Sequence, residues 1–226
     1  MSSIKSRVIL GLSLIVVFFV AQAALVWSAK DRLYTDVVEV TRRNTLATVA
    51  LSELSVLAQQ VRRYEKEYFV YVGNEVRRNG YVKDWTQTHD RISTLIASTM
   101  ENRGGAFSSA DIAKVTGWRA ASDFYGEQMK MIFATVDSRA KQVAQAAAAD
   151  VEAKPVATKA ATTADATPAI TMMGPTEVNE MIKDGKDRFS AGLIKGVSEL
   201  QTEKARETLT LGDVASKGFD RLIMAC

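Results

Sequence analysis

The feature that most constrains the fold of this chain is an apolar run at residues 8–27, which carries no charge. Its only clearly polar side chains are Ser13 and Gln22. A helix of about twenty residues spans the hydrocarbon core of a bilayer. The run ends at Trp27, and basic residues flank it on both sides, namely Lys5, Arg7, Lys30 and Arg32. An interfacial tryptophan and flanking bases are typical of membrane-spanning helices, so the run predicts a transmembrane helix in a lipid bilayer.

A cleaved signal peptide is the alternative interpretation of the same run. Ala21, Gln22 and Ala23 have the small-x-small pattern of a cleavage site after a short hydrophobic region. Apolar sequence nevertheless continues to Trp27, past the point where a cleavage site normally closes that region. We therefore favour an uncleaved anchor, and both interpretations export the remainder of the chain.

The orientation of the anchor follows from its position near the N-terminus. A short basic segment before an uncleaved first span is usual for a signal anchor, so we expect residues 1–7 in the cytoplasm. Bases beyond the span outnumber those before it, but long domains cross membranes largely regardless of charge. The span also contains small residues at which another membrane helix can approach closely. These candidate contact residues are Gly11, Ser13, Ala21, Ala23 and Ala24.

Charge and metal-binding residue types argue against an enzyme or a nucleic-acid-binding protein. The chain has 29 Lys and Arg against 26 Asp and Glu, far from a concentrated basic footprint. Cys226 is the single cysteine, so no intramolecular disulfide and no cysteine metal cluster can form. His89 is the single histidine, and we interpret it as a solvated helical residue. Because no phosphate loop, metal-spaced cluster or Cys-His pair occurs, we expect no cofactor, no metal and no catalytic site.

The prolines divide the chain beyond the membrane span. Pro155, Pro168 and Pro175 all fall within residues 154–175, a stretch rich in Ala and Thr. Such composition predicts a linker or a long irregular loop. The remainder of the chain contains no proline, so long helices meet no obligatory break there.

Apolar side chains at alternating steps of three and four predict helix one, and turn signals after it place helix two before residue 102. We call such a line of apolar side chains along one side of a helix its seam. The seam of helix one consists of Ala50, Leu54, Leu57, Val61, Tyr64, Tyr68 and Tyr71. Helix one is expected to continue from the membrane to about Val72. Turn chemistry at Gly73-Asn74 and at Asn79-Gly80 then predicts that helix two covers residues 81–101.

Two further helices complete the expected architecture. Ser108 or Ser109 caps helix three, which reaches about Val151 along Val115, Trp118, Tyr125, Met129, Ile132, Val136 and Val143. Helix four follows a cap at Thr176 and reaches about Gly212, along Val178, Ile182, Phe189, Leu193, Val197 and Leu200. The sequence therefore predicts an all-α chain: a membrane helix at residues 8–27, helices one to three within 28–153, the linker 154–175, and a fourth helix and tail at 176–226. Side-by-side packing of such helices predicts an up-down four-helix bundle.

Gly185, Gly192 and Gly196 within helix four have two interpretations. Each glycine costs a helix about 1 kcal/mol relative to alanine, a cost that close approach to a neighbouring helix can offset. The alternative is local irregularity in a weaker helix.

Two stretches resemble bacterial chemoreceptors, the methyl-accepting chemotaxis proteins. Residues 3–12, SIKSRVILGL, are similar to the membrane entry of those receptors. Residues 62–69, RRYEKEYF, resemble the arginine-rich stretch in the helical bimodular sensor domains of some of them. The resemblance covers about the first third of the chain. It implies a single-pass protein of the bacterial inner membrane with its bulk in the periplasm.

The resemblance also implies that a small organic acid binds between helices near residues 62–69. Arg62, Arg63 and Lys66 would pair with carboxylates, and Tyr64 or Tyr68 would wall the site. The alternative is a solvated helix face with intrahelical ion pairs, in which the two tyrosines belong to the seam.

The chain departs from the chemoreceptor pattern after the helices. Those receptors continue into a second membrane helix, a HAMP relay and a cytoplasmic coiled coil. This sequence instead ends in residues 218–226, which contain about four apolar side chains. A membrane-spanning helix needs roughly twenty apolar residues. Two functions are therefore expected. The first is an accessory or structural subunit that docks onto a membrane protein partner or pairs as a homodimer. The alternative is a chemoreceptor-like sensor module that binds a small carboxylate.

Overall fold

The structure is a computed structural model that describes residues 4–152 and 171–224. Within these ranges every regular element is a helix, which confirms the all-α prediction. The helices are α1 (Ile4–Val70), α2 (Glu75–Glu101), α3 (Ser109–Glu152), α4 (Pro175–Met181), α5 (Lys183–Phe189) and α6 (Lys195–Met224). A π-helical turn, Ser190–Ile194, joins α5 to α6.

The apolar run lies within α1, a continuous helix of 67 residues. Its window Gly11–Ser28 has a mean hydropathy of 2.1, and none of that window is buried. The chain therefore has one N-terminal helix that is long and apolar enough to cross a membrane.

The chain divides into two compact units. One consists of Met1–Thr48 with Thr202–Cys226, and the other of Val49–Gln201. In the first unit the Asn44 amide donates to the Thr208 hydroxyl at 3.1 Å, which joins α1 to α6. The second unit contains the C-terminal part of α1, all of α2 and α3, and the chain from α4 to the start of α6.

The core of the second unit follows the predicted seams closely. In α1, Leu54, Leu57, Val61 and Tyr68 are buried. In α3, the buried seam positions are Val115, Trp118, Tyr125, Met129, Ile132 and Val136, and in the fourth helical segment all six predicted seam residues are buried. Steps of three and four therefore identified the inward faces correctly, because residues at this spacing lie on one side of a helix.

The predicted start of helix two was wrong. Asn79 and Gly80 lie inside α2, which begins at Glu75. Asn74 is the N-cap, and its side-chain oxygen accepts a hydrogen bond from the Arg77 backbone N–H at 3.1 Å. That capping bond fixes the start of the helix, and a single glycine in the interior is tolerated at modest cost.

Helix three agrees with its predicted bounds. The Ser108 hydroxyl accepts from the Asp111 N–H at 3.1 Å, and the Asp111 carboxylate accepts from the Ser108 N–H at 2.9 Å. This reciprocal pair satisfies two backbone donors at the start of α3, as a capping box does. Asp111 is buried in the first turn of α3.

The fourth helix is not the single uninterrupted helix that the sequence predicted. It is broken at Ile182 and again at the π-helical turn, and it extends past Gly212 to Met224. Its N-cap is Gly174, with Pro175 in the first turn, so the predicted cap at Thr176 was wrong. Proline fits this position because the first helical N–H has no intrahelical partner.

Close helix packing explains the three glycines of this segment. A Cβ atom on Gly192 would lie 2.8 Å from Ala121 Cβ, and one on Gly196 would overlap the Trp118 indole. Gly185 faces the Gln128 side chain at 3.3 Å. All three neighbours belong to α3, so the glycines allow close approach of the fourth segment to that helix.

The up-down order of four helices stays a prediction. Within the second unit α3 contacts α2, α5 and the π-helical turn, and α1 meets α3 where Tyr125 donates to Glu65. The predicted linker lies largely outside the described residues, together with Pro155 and Pro168.

Candidate functional site

The structure does not gather the five predicted ligand residues into one site. The Arg62 side chain is 19% exposed and pairs with Glu65. Arg63 and Lys66 lie on the solvent-facing side of α1. Tyr64 is half-buried, whereas Tyr68 is fully buried and packs edge-to-face on Phe133 with ring centroids 4.8 Å apart.

The residue that sequence reasoning missed in this stretch is Glu65. Only 1% of this residue is exposed, so its interpretation as part of a solvated helix face was wrong. Its carboxylate accepts hydrogen bonds from Arg62 and from the Tyr125 hydroxyl of α3. The Trp85 indole N–H of α2 lies 3.4 Å from the same hydroxyl. Three helices therefore meet in one buried polar cluster: Arg62, Glu65, Trp85 and Tyr125.

Burial and charge together hold the Tyr125 hydroxyl in its protonated form. Burial is the main cause of a pKa well above 10.0, and the neighbouring Glu65 carboxylate raises this pKa further. A protonated hydroxyl is the donor that a buried carboxylate needs, because an unpaired buried charge costs several kcal/mol. The polar groups of this cluster therefore hydrogen-bond to one another. The role that this arrangement supports is structural, because it holds the three helices together.

His89 is buried beside this cluster, so its interpretation as a solvated residue was wrong. Its ring stacks on Trp85 with centroids 4.9 Å apart and 8° between the planes. Its Nε2 atom lies 3.0 Å from the Ser122 carbonyl oxygen. Gly126 makes room for the ring, since a Cβ there would lie 2.6 Å from His89 Cε1. No cluster of three or more potential metal ligands occurs among the described residues.

A second buried polar group lies where α1 ends and α2 begins. Arg78 is 4% exposed, and its Nη1 donates to the Val72 carbonyl at 2.9 Å. Its Nη2 lies 3.2 Å from an Asp137 carboxylate oxygen on α3. Within the described part of the chain, neither Arg78 Nε nor the Tyr68 hydroxyl has a hydrogen-bond partner. Burial raises the pKa of Tyr68, so this hydroxyl also remains a donor.

Sequence reasoning did not identify Arg78. The available signal was its place in the first turn of α2, which depends on recognising Asn74 as the cap. If helix two is taken to begin at residue 81, Arg78 falls in the preceding turn, and helical periodicity does not predict whether its side chain is buried.

The small residues of the predicted membrane span do not form one stripe. At about 100° per residue, Ser13, Ala21 and Ala24 share one side of α1, whereas Gly11 and Ala23 point elsewhere. All five are exposed. The Ser13 hydroxyl donates to the Ile9 carbonyl at 2.9 Å, which satisfies it within its own helix.

The chain also has a shallow groove of about 500 Å³ between α3 and the start of α4. Its lining includes Arg139, Gln142, Met173 and Glu177. Arg139 Nε donates to the Thr171 carbonyl at 2.9 Å, so this guanidinium ties the segment before α4 to α3.

Comparison with protein-family models, with curated proteins and with solved structures finds no match to this chain.

Proposed function

We propose that this protein is a membrane-anchored accessory or structural subunit that docks onto another membrane-anchored chain through α1. The single observation that carries the proposal is a run of exposed, uncharged side chains along one side of α1, which ends one turn before the exposed Arg63. The absence of an identified catalytic cluster plays no part in it.

In the second unit this face consists of Val49, Ser52, Val56 and Gln59, at steps of three, four and three. All four are exposed, and Val49 and Val56 are 62% and 56% exposed. Glu53, the charged residue within this stretch, lies 3.4 Å from the Arg91 guanidinium of α2. The pattern is unusual for a solvent-facing helix, since about a quarter of the chain is charged and charged residues normally occupy exposed helical positions.

The first unit has exposed residues of the same kind on α1, namely Tyr34, Val38, Thr41 and Thr45. The Thr45 hydroxyl donates to the Thr41 carbonyl at 2.8 Å. With its hydroxyl satisfied inside the helix, the threonine presents its methyl group outward. The nearby charges of Glu39, Arg42 and Arg43 pair with one another.

The requirement for an uncharged face follows from membrane insertion. Chains that insert by the same N-terminal anchor lie parallel, so two copies that pair along α1 place each residue near its own counterpart. A charged residue there would face a like charge, which destabilises a helix pair. An uncharged face of β-branched, Ser and Gln residues therefore suits a parallel helix, from a second copy or from a different anchored protein.

The same proposal includes the placement and architecture of the chain. The N-terminal helix spans the bacterial inner membrane once, residues 1–7 lie in the cytoplasm, and the bulk lies in the periplasm. Beyond the anchor, the helices form an up-down four-helix bundle. The support is the length and hydropathy of the window Gly11–Ser28 and the burial of the three- and four-spaced seams.

The second candidate function is a sensor module of the chemoreceptor kind that binds a small carboxylate. The observation that favours it is a pair of buried donor atoms, the Tyr68 hydroxyl and Arg78 Nε. Neither atom has a hydrogen-bond partner among the described residues. Arg62 supports it less well, because its guanidinium already pairs with Glu65.

The docking proposal is tested by placing a charge on the face. We expect Val49→Glu and Val56→Glu each to release the partner, because desolvating the carboxylate against an apolar helix is costly. Val76→Glu is the matched control, since Val76 is 84% exposed on α2 and outside the face. The measurement is the mass of the complex after purification of the full chain in mild detergent, with the co-purifying chains identified.

We expect the native protein and the Val76 variant to retain one defined partner that both face variants lose. A native protein that is monodisperse and alone under these conditions would contradict the proposal. Equal retention by all variants would remove the α1 face from it.

A further inference from the structure

Two buried side chains near the junction of α1 and α2, Tyr68 and Arg78, each have a hydrogen-bond donor without a partner among the described residues. Tyr68 is fully buried and Arg78 is 4% exposed. The Tyr68 hydroxyl and Arg78 Nε are the two buried side-chain atoms without a hydrogen-bond partner in the described part of the second unit. Leaving such groups unpaired opposes folding, so buried polar atoms in proteins nearly always have a partner.

The contacts of Arg78 locate its guanidinium relative to Tyr68. It donates to the carbonyl of Val72, which lies four residues after Tyr68, and it meets Asp137, which lies four residues after Phe133. The rings of Tyr68 and Phe133 themselves are in contact. The guanidinium therefore contacts the turn that follows α1 and the part of α3 that lies one turn after Phe133. The opposing effects of Arg78 and Asp137 on the pKa of Tyr68 agree with this proximity.

The chemistry of these two atoms determines which kind of partner can pair with them. Arginine Nε–H donates and cannot accept, and the neutral Tyr68 hydroxyl has a hydrogen to donate. A planar oxyanion offers acceptor oxygens to such donors, and the edge of a guanidinium pairs with carboxylates in a bidentate manner.

Asp137 now provides the carboxylate that faces Arg78, through one short contact. Its side chain is 52% exposed, whereas that of Arg78 is 5% exposed. The pair therefore has a buried cation and a carboxylate at the surface that is open to solvent. The exposed Asp137 carboxylate keeps much of its hydration, so it loses little when another carboxylate takes its place on the buried guanidinium.

We propose that Arg78 and Tyr68 form a binding site for a small carboxylate, which takes the place of Asp137 on the guanidinium and accepts hydrogen bonds from Arg78 Nε and the Tyr68 hydroxyl. Asp137 then turns to solvent and acts as the internal competitor of the ligand. The inference supplies a site for the second candidate function and is independent of docking through α1.

The test uses acetate as the probe and the full chain in detergent. Thermal unfolding and calorimetric titration are measured in sodium acetate and in sodium chloride of equal ionic strength. Because a ligand that binds the native state stabilises it, acetate raises the midpoint of unfolding relative to chloride.

Three variants separate the site from general salt effects. Asp137→Asn removes the competitor, and we expect about a two- to fivefold lower dissociation constant for acetate. Tyr68→Phe removes one donor and weakens acetate binding about tenfold, while the midpoint without ligand does not fall, because an unpaired buried hydroxyl is removed. Asp123→Asn is the control on α3: its carboxylate is 58% exposed and pairs with Arg119, so binding is unchanged.

Equal midpoints in acetate and chloride for both the native chain and Asp137→Asn would overturn the proposal. A rise in acetate that persists in Tyr68→Phe, or that Asp123→Asn alters as much as Asp137→Asn does, would also overturn it. Failure of this test leaves retention of a partner by α1 unaffected, so the two proposals fail separately.

Discussion

At the scale of single residues, the core of the second unit contains ionisable groups whose charges are compensated locally. Glu65 accepts from Arg62 and from Tyr125, so its carboxylate is buried with a cation and a hydroxyl in contact. The Tyr125 ring also packs on Phe189, with centroids 4.5 Å apart. Glu65, Trp85 and Tyr125 thus connect three helices, and removal of Tyr125 leaves buried partners unsatisfied.

The first prediction concerns the pH dependence of stability and Tyr125→Phe. The folded state raises the pKa of Tyr125 above its ordinary 10.0. The folded protein therefore retains this proton at pH values where the unfolded chain releases it. The stabilisation is fully present below pH 10 and is lost as the pH rises from there towards the folded pKa, by up to about 1.4 kcal/mol per pH unit for one proton.

Tyr125→Phe is expected to remove this part of the alkaline decline. At pH 8 it also costs about 1–3 kcal/mol, because Glu65 and the Trp85 indole lose their shared partner. Urea unfolding of the native and variant chains between pH 8 and pH 11 measures both effects. Parallel curves for the two proteins above pH 10 would contradict the assignment of this titration to Tyr125.

These residue-scale features could be predicted only in part. The i,i+3 spacing of Arg62 and Glu65 allows an ion pair, and the seam through Val61 and Tyr68 passes beside it. The burial of Glu65 depends on a hydroxyl from Tyr125, 60 residues along the chain. Local spacing contains no information about that donor.

At the scale of elements, the fourth helical segment is shaped by its fit to α3. Its apolar positions were predictable from periodicity, and all of them are buried. The break at Ile182 and the π-helical turn were not predictable in this way. These two irregularities change the direction in which successive side chains of the segment point. The segment must match the surface of α3, where Trp118 and Ala121 face its glycines.

The second prediction compares two glycines of α6. In a helix, Gly→Ala normally stabilises by up to about 1 kcal/mol. We expect that gain for Gly212→Ala, since a Cβ there meets nothing within 4 Å. Gly196→Ala is expected to destabilise instead by about 1–3 kcal/mol, because the added Cβ overlaps the Trp118 indole and forces overpacking.

Chemical unfolding of the two variants under identical conditions gives the comparison. A Gly196→Ala variant that is more stable than the native chain would contradict close packing. It would support the alternative that the glycines are local irregularities in a weaker helix. Gly212→Ala acts as the control for helix propensity alone.

At the scale of the whole molecule, the described chain has an N-terminal helix that is long and apolar enough to cross a membrane. Its exposed apolar window has no covering partner among the described residues of its own unit, which suits insertion in lipid. We expect the mature protein to keep the residues before Ala24 and to resist alkaline extraction from membranes. An intact-mass measurement that finds a new N-terminus at Ala24 would support a cleaved signal peptide instead.

The last prediction separates the anchor from the docking face. The exposed uncharged residues of α1 that we assign to docking begin at Tyr34, beyond the predicted membrane span. The small residues inside that predicted span are divided between different sides of the helix. Replacing residues 1–27 with an unrelated single-pass anchor of the same orientation should therefore leave the co-purifying partner in place. Val56→Glu in this exchanged chain should release it, since the face and not the anchor makes the contact. Complete loss of the partner on exchange alone would assign docking to the membrane helix, with Ser13, Ala21 and Ala24 as the side through which another helix approaches.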